Sequence, residues 1–339
     1  MAASYSTGAA TGPIDLLQKL VAWLVAQGWT SNMSAAEGTG WRAHLSKGSV
    51  YVNLRASVGT DAATNTVWAN TTYSIATLVG ISIYTGTGYS GASAWNAQAG
   101  GPIAAGNAAG AILTAYASAM PSYHFFDDGA DNIVVVCEKT TNVYSHMGWG
   151  PSLTKAGTWT GGAYFFGTMG YFNGMANNGY PGTTLTAPTP FSYSDLAWGW
   201  LCPTGYVRAD VDGFTSKWLG CGASSAGAQG YTGKRCATQY AHAYSSSTPV
   251  EIPNYGPAQN MVVSSGFFPR AVSALNSQAN LLPLRIFCER DTSGWSMLGD
   301  VPNIFYSNGV GNGFNVGSIY AISAQNYMMF PNFAVQKFA

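Results

Sequence analysis

Residues 145–169 read SHMGWGPSLTKAGTWTGGAYFFGTM. Glycines and large aromatics crowd this stretch, Lys155 is its only charged residue, and it contains no acid. GGAYFF (161–166) is a short β-type run bounded by glycine. Working outward, the same kind of run recurs as NIVVVC (132–137), LVGISIY (78–84) and LPLRIFC (282–288), each bounded by Gly, Asn, Ser or Pro. Val50, Val52 and Leu54 alternate with Tyr51, Asn53 and Arg55, which predicts a half-buried strand. With 42 glycines and 15 prolines, the chain reads as many short strands joined by turns.

Helical spacing occurs near the start. Ile14, Leu17, Val21 and Leu24 recur at a helix period, and Leu16, Leu20 and Trp23 widen the stripe. Pro13 suits the first helical position, Asp15 complements the dipole in the first turn, and Gly28 suits the C-terminal cap. AAGAILTAYASAM (108–120) reads as a second helix ending before Pro121. The expected class is α+β and β-rich, with short antiparallel strands and hairpins and an amphipathic N-terminal helix packed on a sheet. The expected organisation is a β-rich domain over 1–180, a loop-rich insertion or subdomain over 181–266 where no period is sustained, and closing hairpins over 267–339.

Composition bounds the function. Charged residues make up 8% of the 339 and aromatics 14%, with a net charge of zero. Ordinary soluble domains carry roughly 25% charged residues. So little charge gives little colloidal repulsion, and protein interfaces are depleted in Lys, Glu and Asp and enriched in aromatics and Met. A homo-oligomer is therefore expected. No basic excess marks a nucleic-acid partner. No run of about 18 apolar residues marks a membrane span. The N-terminus lacks the charged and apolar regions of a secretory signal. The five cysteines (137, 202, 221, 236, 288) contain no close pair for a zinc ribbon and read mostly as buried small hydrophobes.

Candidate chemistry is sparse. Gly86, Gly88 and Gly91 form GxGxxG after a strand, but no amphipathic helix follows and no acid lies about 20 residues on, so a hairpin turn is the better reading. Asp127, Asp128 and Asp131 could form a weak Ca²⁺ site; the expected reading is a turn. Asp210 and Asp212 invite the same pair of readings, with Arg208 favouring a salt bridge. Glu138 and Glu289 follow apolar strands and have no partner carboxylate of the glycosidase type. The histidines at 44, 124, 146 and 242 are scattered, and a lone histidine among aromatics, such as His146, reads as a core or interface residue. No catalytic residue, metal or organic cofactor is expected. Tryptophans, among them Trp41, Trp68, Trp95, Trp149, Trp159, Trp198, Trp200, Trp218 and Trp295, could stack on sugars or fill cores and contacts.

SYSTGAATGPIDLLQKLVAWLVAQGW (4–29), the turn Thr85-Gly86-Thr87-Gly88-Tyr89-Ser90-Gly91, and NIVVVCEKTTNVYSHMGWGPSLTKAGTWTGGAYFFGT (132–168) stand in that order. So does a C-terminal segment ending in Tyr327 and Phe330-Pro331-Asn332. The chain resembles a family of largely uncharacterised virion structural proteins of tailed bacteriophages. The resemblance is weakest between Pro181 and Leu281. It implies a subunit forming a symmetric ring or decoration at the neck (collar) or tail, contacting itself and other neck or tail proteins of the virion. It also implies synthesis in the host cytoplasm, and it supplies no catalytic residues. On that reading Lys155, Gly157, Gly161 and Gly162 form tight turns, and Trp149 and Trp159 anchor a core or an intersubunit contact. Trp149, Trp159, Tyr164 and Phe165 are the assembly-interface candidates. The alternative is a receptor-binding tail-fibre or baseplate protein that stacks host glycans on exposed tryptophans.

Overall fold

The computed structural model describes residues 2–59, 79–95, 97–102, 109–116, 118–172, 190–191, 193–196, 200–221, 235–238, 281–289, 295–307, 314–322, 324–331 and 333–338. The elements of the first half are β1 (Ser4–Ala10), α1 (Pro13–Ala26), β2 (Thr30–Glu37), β3 (Gly40–Lys47), β4 (Val50–Val58), β5 (Val79–Gly86), β6 (Ala109–Thr114), β7 (Met120–Asp127), β8 (Ile133–Thr140), β9 (Val143–Gly150), β10 (Thr154–Lys155), β11 (Gly161–Gly167) and β12 (Met169–Phe172). Those of the second half are β13 (Tyr193–Leu196), β14 (Trp200–Pro203), β15 (Gly205–Val211), β16 (Phe214–Cys221), β17 (Arg235–Thr238), β18 (Leu282–Glu289), β19 (Trp295–Tyr306), β20 (Ile319–Ile322), β21 (Gln325–Met329) and β22 (Phe333–Lys337). The protein is β-rich α+β, with one described helix packed against antiparallel sheets.

Helix α1 begins where the sequence predicts. Pro13 occupies the first turn, and the Asp15 carboxylate accepts from the Thr11 N–H at 2.8 Å and from Lys19 Nζ at 2.7 Å. At the other end Gly28 takes φ +79°, its N–H donates to the Val25 carbonyl, and the Trp29 N–H donates to the Leu24 carbonyl. That double closure is a Schellman cap, which a Cβ at position 28 would disfavour. Leu16, Leu17, Leu20, Val21 and Leu24 are buried against the sheet of β2–β5, and the Trp23 ring meets Phe125 of β7 at 5.4 Å. A helix of this length is marginal alone. Each of its buried leucines contributes about 2 kcal/mol by leaving water.

Two large sheets carry the fold. One has six strands in the order β12-β6-β5-β4-β3-β2. The other runs β1-β7-β8-β9-β11-β15-β16-β17-β18-β19-β22-β21-β20, with β10 attached to β19. This long sheet doubles back on itself. Its first limb, β7 to β16, supplies Phe126, Val136, Phe166 and Val207 to a core whose other wall is Ile286, Ile304, Phe330 and Val335 of the second limb, β18 to β22. Pairing of β10 with β19, and the Lys337 ammonium 4.7 Å from the Tyr5 ring, draw the two limbs together. The opposite face of the first limb carries Phe125, Val135, Met147, Trp149 and Phe165 into the core shared with α1 and the six-stranded sheet. Strands β7, β8, β9 and β11 are thus covered on both faces, which is why NIVVVC is continuously apolar instead of alternating.

Three expectations change. Residues 109–114 are not helical: β6 pairs with β5 and β12, and alanine's helix propensity yields to two flanking strands. Strand β4 is not half-buried, because Asn53 and Arg55 on its polar face are each 1% exposed. Glu37 and the 84–101 segment cover that face, as described below. Strands β15 and β16, from the expected insertion at 181–266, pair in sequence between β11 and β17 and so lie within the long sheet. Their turn, Asp212-Gly213, has positive φ at both residues (51° and 80°), the two-residue hairpin for which Asp-Gly is suited. That turn accounts for Asp212.

Candidate assembly surface and buried polar clusters

The glycine–aromatic stretch is an internal ladder. Along one row of the long sheet the Cα partners are Phe126, Val134, Gly148, Phe166 and Gly205. The Phe166 ring covers Gly148, and Phe191 covers Gly205. In the next row Tyr164 lies over Gly150 and donates its hydroxyl to Asn132 Oδ1 at 3.0 Å. On the reverse face Trp149 pairs with Phe165, which stacks on Tyr206 at 4.9 Å. Trp149, Tyr164 and Phe165 are therefore fully buried inside the protomer and cannot form an intersubunit contact. This corrects their expected role: the glycines that admit these rings also seal them in. Trp159 is half-buried, donates to the Leu298 carbonyl at 2.9 Å and stacks under Lys155 Nζ at 4.8 Å. It joins the two limbs of the long sheet.

Among the described residues, a partly exposed apolar cluster lies on the outer face of the second limb. Phe305, Ala334 and Met329 form one row across it, and Gln336, Tyr327 and Tyr320 the next. Leu281, Phe305, Phe314, Tyr320, Ile322 and Tyr327 are partly exposed around buried Met329 and Ala334. The rings pair edge to face, Phe305 with Tyr327 at 5.3 Å and Phe314 with Tyr320 at 4.5 Å. None of these positions is charged; the Arg285–Asp300 ion pair, at 3.3 Å, stands at the rim. The face ends at β20, whose outer edge has no partner strand among the described residues. Proteins commonly protect such edges with lysine or proline. Neither occurs in β1, β20, β2 or β12, the terminal strands of the two large sheets.

The titratable groups are engaged elsewhere. Asp128 accepts from the Ala130 and Asn132 N–H groups and from the Asn132 and Asn303 side-chain amides. Asp131 pairs with Lys47 at 2.5 Å. Asp127 is buried and accepts from the Gly129 N–H, and burial pushes its carboxyl above the usual range. The three carboxylates shape the β7–β8 turn and point to separate partners. Among the described residues no group of three or more His, Cys, Asp or Glu is arranged to hold a metal ion. Gly86 precedes and Gly88 lies within the 87–101 segment: the Thr87 N–H donates to the Ala99 carbonyl, and no helix follows among the described residues.

Two clusters have no local signal in the sequence. On the outer face of the six-stranded sheet, Glu37 binds Arg42 at 3.2 Å and Arg55 at 2.6 Å. Arg42 Nε also donates to His44 Nε2 at 2.8 Å, so the His44 proton lies on Nδ1, facing Asn53 Oδ1. Burial, with Arg42 adding to it, holds His44 down to about 4. Arg42 further donates to the Ser93 carbonyl, fastening the 87–101 segment over the cluster. The second cluster is a hydrogen-bonded chain. Tyr5 Oη meets His124 Nδ1 at 2.9 Å, His124 Nε2 meets Ser122 Oγ at 3.4 Å, and Ser122 donates to Glu138 at 2.9 Å. The serine proton thus goes to the carboxylate and not to the imidazole, an order that does not activate a nucleophile. Burial lowers His124 to about 4, and lowers His146, set between Phe166 and Phe333, to about 3. His242 lies outside the described residues.

Of the candidate tryptophans whose side chains are described, Trp95, Trp149 and Trp218 are buried and Trp41 and Trp159 half-buried. The side chains of Trp68, Trp198, Trp200 and Trp295 lie outside the description. No helix among the described residues is long and apolar enough to cross a membrane. No protein-family model and no curated protein matches the chain.

Proposed function

We propose that this chain is a structural subunit of a tailed-phage virion, assembling with its own copies as a ring or decoration at the neck or tail. One observation carries the reading: the uncharged aromatic cluster of Phe305, Phe314, Tyr320 and Tyr327 on the outer face of the second limb, beside a β20 edge that has no partner strand among the described residues. Such a face has the composition of an interface core with a polar rim. A sheet edge left unpaired by the described strands can supply directional hydrogen bonds to a neighbouring strand. The family resemblance of residues 4–29 and 132–168 gives the reading its context.

The protomer itself suits passive load. The core of the long sheet is sealed by cross-strand aromatics over glycines, and buried Arg42 and Arg55 are both paired with Glu37. The test is the particle. In virions of the phage that encodes this chain, mass spectrometry should detect it in stoichiometric amounts. Cryo-electron microscopy should place it as a symmetric ring or decoration at the neck or tail. Absence of the chain from purified particles would overturn the proposal.

A further inference from the structure

Cys236 on β17 is the direct Cα partner of Cys288 on β18, in an antiparallel pairing. On its other side β17 runs parallel to β16, where Cys236 is the Cα partner of Cys221. Directly opposed residues on antiparallel strands have Cα atoms about 4.5 or 5.5 Å apart, according to the type of pair. Disulfides span Cα separations of about 4.4–6.8 Å, so either pair type fits. Cys236 and Cys288 are both thiols, both buried, and both part of the same core between the limbs. Opposed register and a shared face place their side chains next to each other.

We propose that Cys236 and Cys288 are a redox-sensitive staple, reduced as the chain is made and closed to a disulfide when it meets an oxidising, small-molecule-disulfide environment. The location gives the staple a purpose. Strand β17 has four residues and meets β16 through two register pairs, yet it is the step by which the long sheet passes from its first limb to its second. A bond from β17 to β18 would fasten that step covalently and close residues 237–287 into a loop. Closing a loop of that length restricts the unfolded chain and raises stability. The chemistry balances as two exchanges. A Cys236 thiolate attacks one sulfur of oxidised glutathione, releasing one glutathione thiol. The Cys288 thiolate then attacks the Cys236 sulfur, releasing the second, so two protein thiols are oxidised and one glutathione disulfide is reduced. Burial makes attack on the native chain slow, since local opening must come first.

The test is refolding of the full chain from guanidinium in a glutathione redox buffer, where burial does not limit access. Alkylation, peptide mapping and a thermal melt follow, for the parent, Cys221→Ala and Cys288→Ala. Native parent incubated with oxidised glutathione alone provides a second measurement that needs no refolding. The expected result is a Cys236–Cys288 link in the parent and in Cys221→Ala, formed more slowly in the native incubation. The melting temperature should rise by several degrees on oxidation, revert with dithiothreitol, and not move in Cys288→Ala. A Cys221–Cys236 link in its place, full alkylation of both thiols after refolding in the redox buffer, or the same oxidation-dependent rise in Cys288→Ala would overturn the proposal.

Discussion

The Phe166 ring lies across the α-carbon of Gly148 on the neighbouring strand, where a Cβ would overlap the ring and come within 2.6 Å of the Ile133 carbonyl oxygen. Gly150 stands in the same relation to Tyr164, whose ring atoms a Cβ would meet at 2.6 Å. Glycine is thus the complement of the aromatic opposite, and the two residue types that crowd residues 145–169 are one packing device.

Gly148→Ala should destabilise the protein by about 1–3 kcal/mol, the usual range for overpacking a core, because backbone and a ring hemmed in by neighbours must both give way. Gly88→Ala is the control. Its Cβ would meet only Ala99 Cβ at an ordinary 3.6 Å, and its φ is unstrained. A change within about 0.5 kcal/mol is expected there. Urea denaturation of both variants checks the contrast.

Leu20 is fully buried beneath α1. Leu20→Ala should cost about 2–5 kcal/mol, and Leu20→Asp more, since it places an unpaired carboxylate in that core. Val25, on the same helix, is 46% exposed, and Val25→Ala should leave the melting temperature nearly unchanged. Equal effects at the two positions would mean that the helix is peripheral.

Much of this was legible because it is local. The helix follows from its apolar period and end residues, and β5, β8, β11 and β18 follow from short apolar runs between turn formers. β6 was not, because Ala109–Thr114 joins a helix-favouring composition to a strand environment that only β5 and β12 supply. Nor was the burial of Asn53 and Arg55, since Glu37, which binds Arg55, and Ser93, whose carbonyl ties the 87–101 segment to neighbouring Arg42, come from other segments. Trp149, Tyr164 and Phe165 look the same in sequence whether they face a neighbour or their own core. The row of glycines decides for the core, and only the register reveals it.

His44, His124 and His146 are held by burial at about 4, 4 and 3. In the unfolded chain each titrates near 6.5. The unfolded state therefore takes up protons first, so stability is full above about pH 6.5 and falls as pH drops toward 4. His146→Phe removes one of these groups from an apolar setting between Phe166 and Phe333. Denaturation from pH 7 to pH 4 should show a shallower loss in this variant than in the parent. An identical slope would mean that His146 is accessible to protons in the folded state.

Asp128 organises the β7–β8 turn through four donors. Asp128→Ala should cost about 1 kcal/mol, because four donors, three of them in part-buried hydrogen bonds, lose their acceptor. Calcium and a chelator should leave the melting temperature of the parent unchanged. A chelator-induced drop in the parent that is absent from an Asp127→Asn/Asp128→Asn/Asp131→Asn variant would reveal a metal site in this turn.

The central claim is assembly through the outer face of the second limb, and the most direct measurement of it is solution mass by light scattering across micromolar concentrations. The parent should form one closed homo-oligomer. Tyr320→Glu/Tyr327→Glu, which places charge in the middle of the aromatic face, should shift the mass to that of a single chain with little change in melting temperature. A parent that stays a monomer throughout, or a charged variant that assembles as the parent does, would contradict the account.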